Sequence, residues 1–164
     1  MLLLDHSASF LHPTEGPCLT MYCHFLVAIL AIVSSLRVRA ETVTTLAYDD
    51  YYDNAALPLN EVACSDGANG LETENTKFTT LGSLPHFPYV GGVYTVSHWN
   101  SAQCGACYAI THKEKRIHIL AVDAAKDGFI VSEAVMNALT DNHAVEFGRI
   151  DVSFVQVDRS ACGL

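Results

Sequence analysis

The sequence predicts a single β-rich domain carrying one or two short helices. Three observations lead there. Residues 149–158 (RIDVSFVQVD) alternate, with Ile150, Val152, Phe154 and Gln156 on one side and Asp151, Ser153, Val155 and Val157 on the other. That period of two marks a strand with one buried face. Thr42 to Tyr48 (TVTTLAY) is rich in β-branched residues, which favour a pleated surface. Helical spacing shows only at Ile130, Ala134 and Met136 to Leu139, so the helix is expected over 130–140.

Between these elements the chain reads as follows. Asp49 to Pro58 mixes Asp, Asn and Pro and is expected to be a loop. Glu61 to Cys64 fits a short strand that runs into Ser65-Asp66-Gly67-Ala68-Asn69-Gly70, a pair of turns. Pro85 to Gly92 is expected to be irregular, and Val93 to Trp99 fits the start of a short helix. Tyr108 to Thr111 and Arg116 to Val122 form a hairpin joined at Lys113-Glu114-Lys115. Trp99, the only tryptophan, is assigned to the core. No internal repeat, low-complexity tract or linker interrupts the sequence.

The first 40 residues read as a processed segment. Phe25 to Val33 (FLVAILAIV) is an unbroken apolar run, and Val38-Arg39-Ala40 offers the short residues a signal peptidase reads. A membrane span needs about 20 apolar residues, and this run is too short. Met21 stands where a conventional signal begins, so residues 1–20 fit an upstream extension from a misassigned start. The domain then covers 41–164, exported and extracellular.

The full chain has 9 Lys+Arg against 18 Asp+Glu, a net charge of −9. Removing residues 1–40 takes Asp5, Glu15, Arg37 and Arg39 together and leaves that charge unchanged. A scattered, outnumbered set of bases argues against a nucleic-acid partner, because phosphate affinity needs clustered Lys and Arg. The same processing removes Cys18 and Cys23, leaving Cys64, Cys104, Cys107 and Cys162. An even set in an exported chain reads as two disulfides, with three pairings open. Cys104-Gly105-Ala106-Cys107 also admits a redox pair or a zinc site, but no second C-x-x-C supports the metal.

No G-x-G-x-x-G, phosphate loop or G-x-S-x-G elbow is present, and the histidines lack H-x-H and H-E-x-x-H spacing. No cofactor and no metal is therefore expected. The carboxylates carry more. Asp123 ends the apolar strand Ile119 to Val122, where an acid at a barrel rim or in a cleft can act on a substrate. The competing role is capping the next turn by accepting backbone N–H bonds. Asp66 in Ser-Asp-Gly is open to the same two roles. Tyr48, Tyr51 and Tyr52 lie beside Asp49, Asp50 and Asp53, a mixture of rings and hydrogen-bonding groups suited to a sugar groove or to simple loop packing.

The ordered set Cys64-Ser65-Asp66-Gly67-Ala68-Asn69-Gly70, Phe87-Pro88-Tyr89-Val90-Gly91-Gly92, Trp99-Asn100-Ser101 with Cys104-Gly105-x-Cys107, Leu120-Ala121-Val122-Asp123, Glu133-Ala134 with Met136-Asn137, Gly148 to Val152 and Ser160 to Leu164 resembles the cerato-platanin family. The resemblance runs across essentially all of residues 42–164. It departs at Phe78, where the family often has Trp, and in the crowded Tyr48–Asp53 loop.

The resemblance implies a six-stranded double-psi β-barrel like the first domain of expansins. It also implies consecutive disulfides, Cys64–Cys104 and Cys107–Cys162. These would close loops of roughly 40 and 55 residues, each worth about 4 kcal/mol from chain entropy. Family members are small secreted fungal proteins, often wall-associated, known as elicitors of plant defence, as binders of chitin and its oligosaccharides, and as non-hydrolytic looseners of cellulose. The expected partners are thus N-acetylglucosamine oligomers or chitin, with cellulose and a plant receptor as further candidates, and the expected state is a monomer or a weakly self-associating protein. The expected contact residues are Asp123, Asp66, Asn69, Tyr48, Tyr52 and Asp53, with Asp123 matching the acid the family shares with expansin-like barrels and lytic transglycosylases. Glycosidases need a second carboxylate about 5–10 Å from the first. No counterpart of the expansin His-Phe-Asp motif is found here, so binding without cleavage is the expectation. The alternatives are a weak glycan-cleaving enzyme using Asp123, with Asp66 as its partner, and a purely structural, surface-active wall protein.

Overall fold

The computed structural model describes residues 40–164. The apolar run Phe25–Val33, the candidate start at Met21, and Cys18 and Cys23 lie outside the described residues.

Six strands close into a barrel: β1 (Thr42–Tyr48), β2 (Val90–Val93), β3 (Cys107–His112), β4 (Lys115–Ala124), β5 (Phe129–Val131) and β6 (Arg149–Val157). Their order around the barrel is β1-β5-β2-β4-β3-β6. Two pairs, β1 with β5 and β2 with β4, run parallel, and the other four pairings are antiparallel. This is the mostly β, double-psi barrel class the sequence pointed to, and closure leaves no strand edge open to other chains. Among the described residues three short helices accompany it: α1 (Leu71–Glu74), α2 (Glu133–Thr140) and α3 (Ala144–Phe147).

The alternation of β6 is realised, with Ile150, Val152 and Phe154 buried and Asp151 exposed. Phe154 meets Phe129 edge to face at 5.0 Å between ring centroids, and Tyr108 closes on Phe129 at 5.6 Å. T-shaped aromatic contacts of this kind add to the area they bury. The β3–β4 hairpin turns on Lys113 and Glu114, since His112 pairs with Lys115 and Lys113 takes φ 53°. Helix α2 starts at Ser132, whose hydroxyl accepts from the Val135 N–H, and buries Val135, Met136 and Leu139.

Four expectations are corrected. Glu61 to Cys64 is not a strand; Pro58 leads into a 3₁₀ turn at Leu59–Glu61, and Cys64 meets β4 through its N–H to the Val122 carbonyl, 3.1 Å. Residues 85–99 hold a strand instead of irregular chain and an incipient helix. Val90–Val93 is fully buried between β4 and β5, and its two glycines, which lower strand propensity, are required by crowding. A Cβ on Gly91 would lie 2.4 Å from the Ile130 carbonyl oxygen. Ile130 belongs to β5, not to the helix, because Phe129–Val131 pairs with both β1 and β2. Trp99 is not core; it is 55% exposed.

The cysteines pair Cys64–Cys104 and Cys107–Cys162, with Cα separations of 5.2 and 5.8 Å. The C-x-x-C therefore belongs to two different bridges, which removes it as a redox pair or a zinc half-site. Cys64–Cys104 ties the 65–70 turns to the 99–104 segment, and this link positions the site.

Candidate functional site

Asp123 sits half-buried near the end of β4, paired in register with Gly92 of β2. Its Oδ1 accepts from the Ala63 N–H at 2.9 Å and the Ala124 N–H at 2.8 Å. Its Oδ2 accepts from the Tyr52 hydroxyl at 3.1 Å. Both candidate roles are thus present in part: the acid fastens backbone, as a cap does, and it also faces a tyrosine. Tyr52 is only 6% exposed. Burial, then the neighbouring Asp123 charge, pushes its phenol well above the ordinary tyrosine range. The hydroxyl reaches Asp123 because position 92 is glycine; a Cβ there would stand 2.9 Å from it. Tyr51 packs edge-on to Tyr52 at 5.5 Å and donates its hydroxyl to the Glu61 carbonyl at 3.2 Å.

A second group lies on the other side of Ala63. The Ala63 carbonyl accepts from the Asn100 N–H at 3.3 Å, so one residue joins Asp123 to the 99–100 segment. Asn100, at φ 59°, accepts the Asn69 N–H on its Oδ1 and the Asn69 Nδ2–H on its carbonyl, both at 2.9 Å. Beside it the Trp99 indole Nε1–H donates to Asp66 Oδ1 at 2.7 Å. Gly67, at φ 86°, makes room: a Cβ would meet Asn100 Oδ1 at 2.7 Å and the Trp99 ring at 3.1 Å. The outcome is an exposed indole held in one orientation by a carboxylate.

Residues 44–164 match the family model described as Cerato-platanin. The chain belongs to the cerato-platanin family. A heat-stable 19 kDa antigen of Coccidioides posadasii is 44% identical over 119 residues, 73% of this chain and 80% of the antigen. The crystal structure of cerato-platanin 3 from M. perniciosa superposes with a TM-score of 0.71 at 46% identity, over 75% of this chain and all of that one. The solution structure of the fungal elicitor Cerato-Platanin gives a TM-score of 0.64 at 38% identity, over 72% of this chain and 95% of that one.

In this cerato-platanin-family barrel the expected contact residues divide. Asp123 and Tyr52 meet directly, Ala63 and Asn100 connect them to Asn69, and Asp66 holds the neighbouring Trp99. Tyr48 is not with them; it ends β1 opposite Val131 and packs on the core. Asp53 is engaged elsewhere, its Oδ2 accepting from the Glu133 N–H at 2.7 Å and its Oδ1 from the Ala134 N–H at 3.3 Å, at the positive start of α2. Trp99 and Asn100 are the residues the sequence reading missed. A single Trp inside the polar run Ser97 to Ser101 was the available signal.

Asn69 also lines a cleft of about 480 Å³ with Ala68, Ala102, Glu74, Gln156 and Arg159, where Arg159 pairs with Glu74 at 2.5 Å. A second cleft, of about 570 Å³, opens beside the β3–β4 turn and contains none of the Asp123 group.

Proposed function

We propose that this chain is a secreted, wall-associated protein that binds chitin-type polysaccharide without cleaving it and elicits plant defence. The observation that carries this reading is the Trp99 indole, exposed and pinned by Asp66. Sugar rings present apolar C–H faces to an aromatic surface, and the hydroxyls around those faces need hydrogen-bonding groups. A tryptophan already fixed in orientation gives up little side-chain freedom when a sugar stacks on it. Asp66, Asn69 and Asn100 supply acceptors and donors at the edge of that platform, and Asp123 with Tyr52 is joined to it through Ala63.

Binding without hydrolysis is supported by how the acids are engaged. A glycosidase needs one carboxyl to give a proton and a second to act as nucleophile or base. Here Asp123 already accepts three hydrogen bonds and Asp66 holds Trp99. Secretion is supported by two disulfides, which persist in oxidising compartments. Elicitation is supported by kinship with a protein that bears the name of fungal elicitor.

Calorimetry with N-acetylglucosamine oligomers, alongside a reducing-end assay on chitin, tests the proposal. Trp99→Ala should weaken binding at least about tenfold, since stacked aromatic contacts contribute on the order of a kcal/mol or more. Reducing ends should not accumulate. Equal binding by wild type and Trp99→Ala overturns the platform, and steady release of reducing ends lost in Asp123→Asn would establish the enzyme reading instead.

A further inference from the structure

The turn beside Trp99 carries the chain's single Asn-Gly dipeptide, Asn69–Gly70. Such a dipeptide is chemically labile because glycine has no Cβ to hinder attack by its own amide nitrogen on the asparagine side chain. The fold leaves no alternative residue at 70: a Cβ there would lie 2.3 Å from the Asp66 carbonyl carbon and oxygen. Asn69 is exposed, so water reaches it. Yet every group that must move is held. Gly70 N–H donates to the Gly67 carbonyl at 3.1 Å, and both Asn69 donors, its backbone N–H and its Nδ2–H, go to Asn100 at 2.9 Å.

We propose that Asn69–Gly70 is a deamidation site that the folded loop keeps closed through Asn100. In the reaction the Gly70 amide nitrogen loses its proton to solvent base and bonds to Asn69 Cγ. The Cγ–Nδ2 bond breaks and ammonia leaves, giving a five-membered succinimide. Water then opens the ring at either carbonyl, leaving aspartate or isoaspartate. Ring closure requires the Asn69 carboxamide to swing off the Asn100 carbonyl and Gly70 to release Gly67. The unfolded chain has neither restraint.

The product cannot return to the same loop. A carboxylate oxygen would face the Asn100 carbonyl where an N–H donated, and a new negative charge would enter the turn that holds Asp66. Isoaspartate would also add a backbone carbon beside Gly70, which has no free space. Conversion at residue 69 thereby marks a molecule whose 65–70 turn has opened. This inference is independent of any glycan binding.

The disulfide-bonded protein and its reduced, alkylated, urea-unfolded form are incubated side by side at mildly alkaline pH. Conversion is followed by peptide mass spectrometry and isoaspartyl methyltransferase labelling. The folded protein should convert at least about tenfold more slowly, as expected for breaking two hydrogen bonds, Asn69 Nδ2–H to Asn100 and Gly70 N–H to Gly67, before ring closure. Asn100→Gly keeps the left-handed backbone and the carbonyl but deletes the Oδ1 acceptor of the Asn69 N–H, loosening the turn that must open before the carboxamide can swing. It should convert about fivefold faster than folded wild type, the factor for one such bond. Folded wild type converting at the unfolded rate overturns the proposal, as does a folded Asn100→Gly that converts no faster than wild type. If Asn100→Gly does not fold, the first comparison decides alone.

Discussion

Asp123→Ala probes the joint on which the site rests. The substitution deletes the acceptor of the Ala63 N–H, the Ala124 N–H and the Tyr52 hydroxyl together. Hydrogen bonds to a charged acceptor contribute about 1.5–3 kcal/mol each, and a buried donor left without a partner bears its full desolvation penalty. Ala124 is exposed, so its N–H recovers a water, whereas the Tyr52 hydroxyl sits on a residue that is only 6% exposed. The loss should therefore total about 3 kcal/mol instead of three full bonds. For a domain of this size each kcal/mol moves the thermal midpoint by about 3–5 °C, so a drop of roughly 10–15 °C is expected. Asp123→Asn keeps an oxygen for the two backbone donors and presents an amide to the tyrosine oxygen, and should lose less than half as much. Circular dichroism melts of the three proteins decide. An Asp123→Ala midpoint within about 3 °C of wild type would refute the reasoning, because three donors cannot lose a carboxylate without a measurable penalty.

Acid should weaken the fold through three exposed carboxyls. Hydrogen bonds from Ser153 and Arg116 hold Glu41 below its ordinary range, Lys115 does the same for Asp141, and Ser160 for Asp158. A lowered folded-state pKa gives stability that is present above the ordinary carboxylate value near 4 and lost as pH falls below it. Denaturant midpoints should fall between about pH 4 and pH 2, and less in Glu41→Gln; identical acid limbs would contradict the Glu41 contribution. Alkali acts through Tyr52, whose raised pKa gives stability that is present below about pH 10 and lost as pH climbs beyond it. Absorbance titration should show part of the tyrosine signal withheld until unfolding releases it, with less withheld in Tyr52→Phe; a single smooth titration of every tyrosine would contradict it. Non-reducing peptide maps should join residue 64 to 104 and 107 to 162, whereas a Cys104–Cys107 link would contradict the fold's closure.

The barrel was readable where one strand face is buried and the other wet. β6 carries that imprint in the burial of Ile150, Val152 and Phe154, whereas β1 was readable from its β-branched residues and the β3–β4 hairpin from apolar runs flanking a polar turn. It was unreadable where a covered strand is only three or four residues long. Val90–Val93 hides behind two glycines that exist because neighbouring strands press on them. Phe129–Val131 is three residues running into a helix, so its apolar groups blended into the helical period. Asp123, Tyr52, Asp66 and Asn69 of the candidate site were singled out by residue type and by family resemblance. What type alone could not convey was engagement: Asp53 is bound to the start of α2, and Trp99 faces solvent because Asp66 holds it there. Both facts depend on contacts across 33 or more residues of sequence.

The most direct test of the account uses a reporter the chain already contains. Trp99 is the only tryptophan, so intrinsic fluorescence reads the proposed platform without labelling. Titrating the folded, disulfide-bonded protein with N-acetylglucosamine oligomers should shift and saturate its emission as sugar replaces water over the indole. The same titration in Asp66→Ala, which frees Nε1–H, should require more ligand. An emission spectrum unchanged up to the oligomer's solubility, in a protein shown by calorimetry to bind that oligomer, would place the glycan elsewhere and contradict the account.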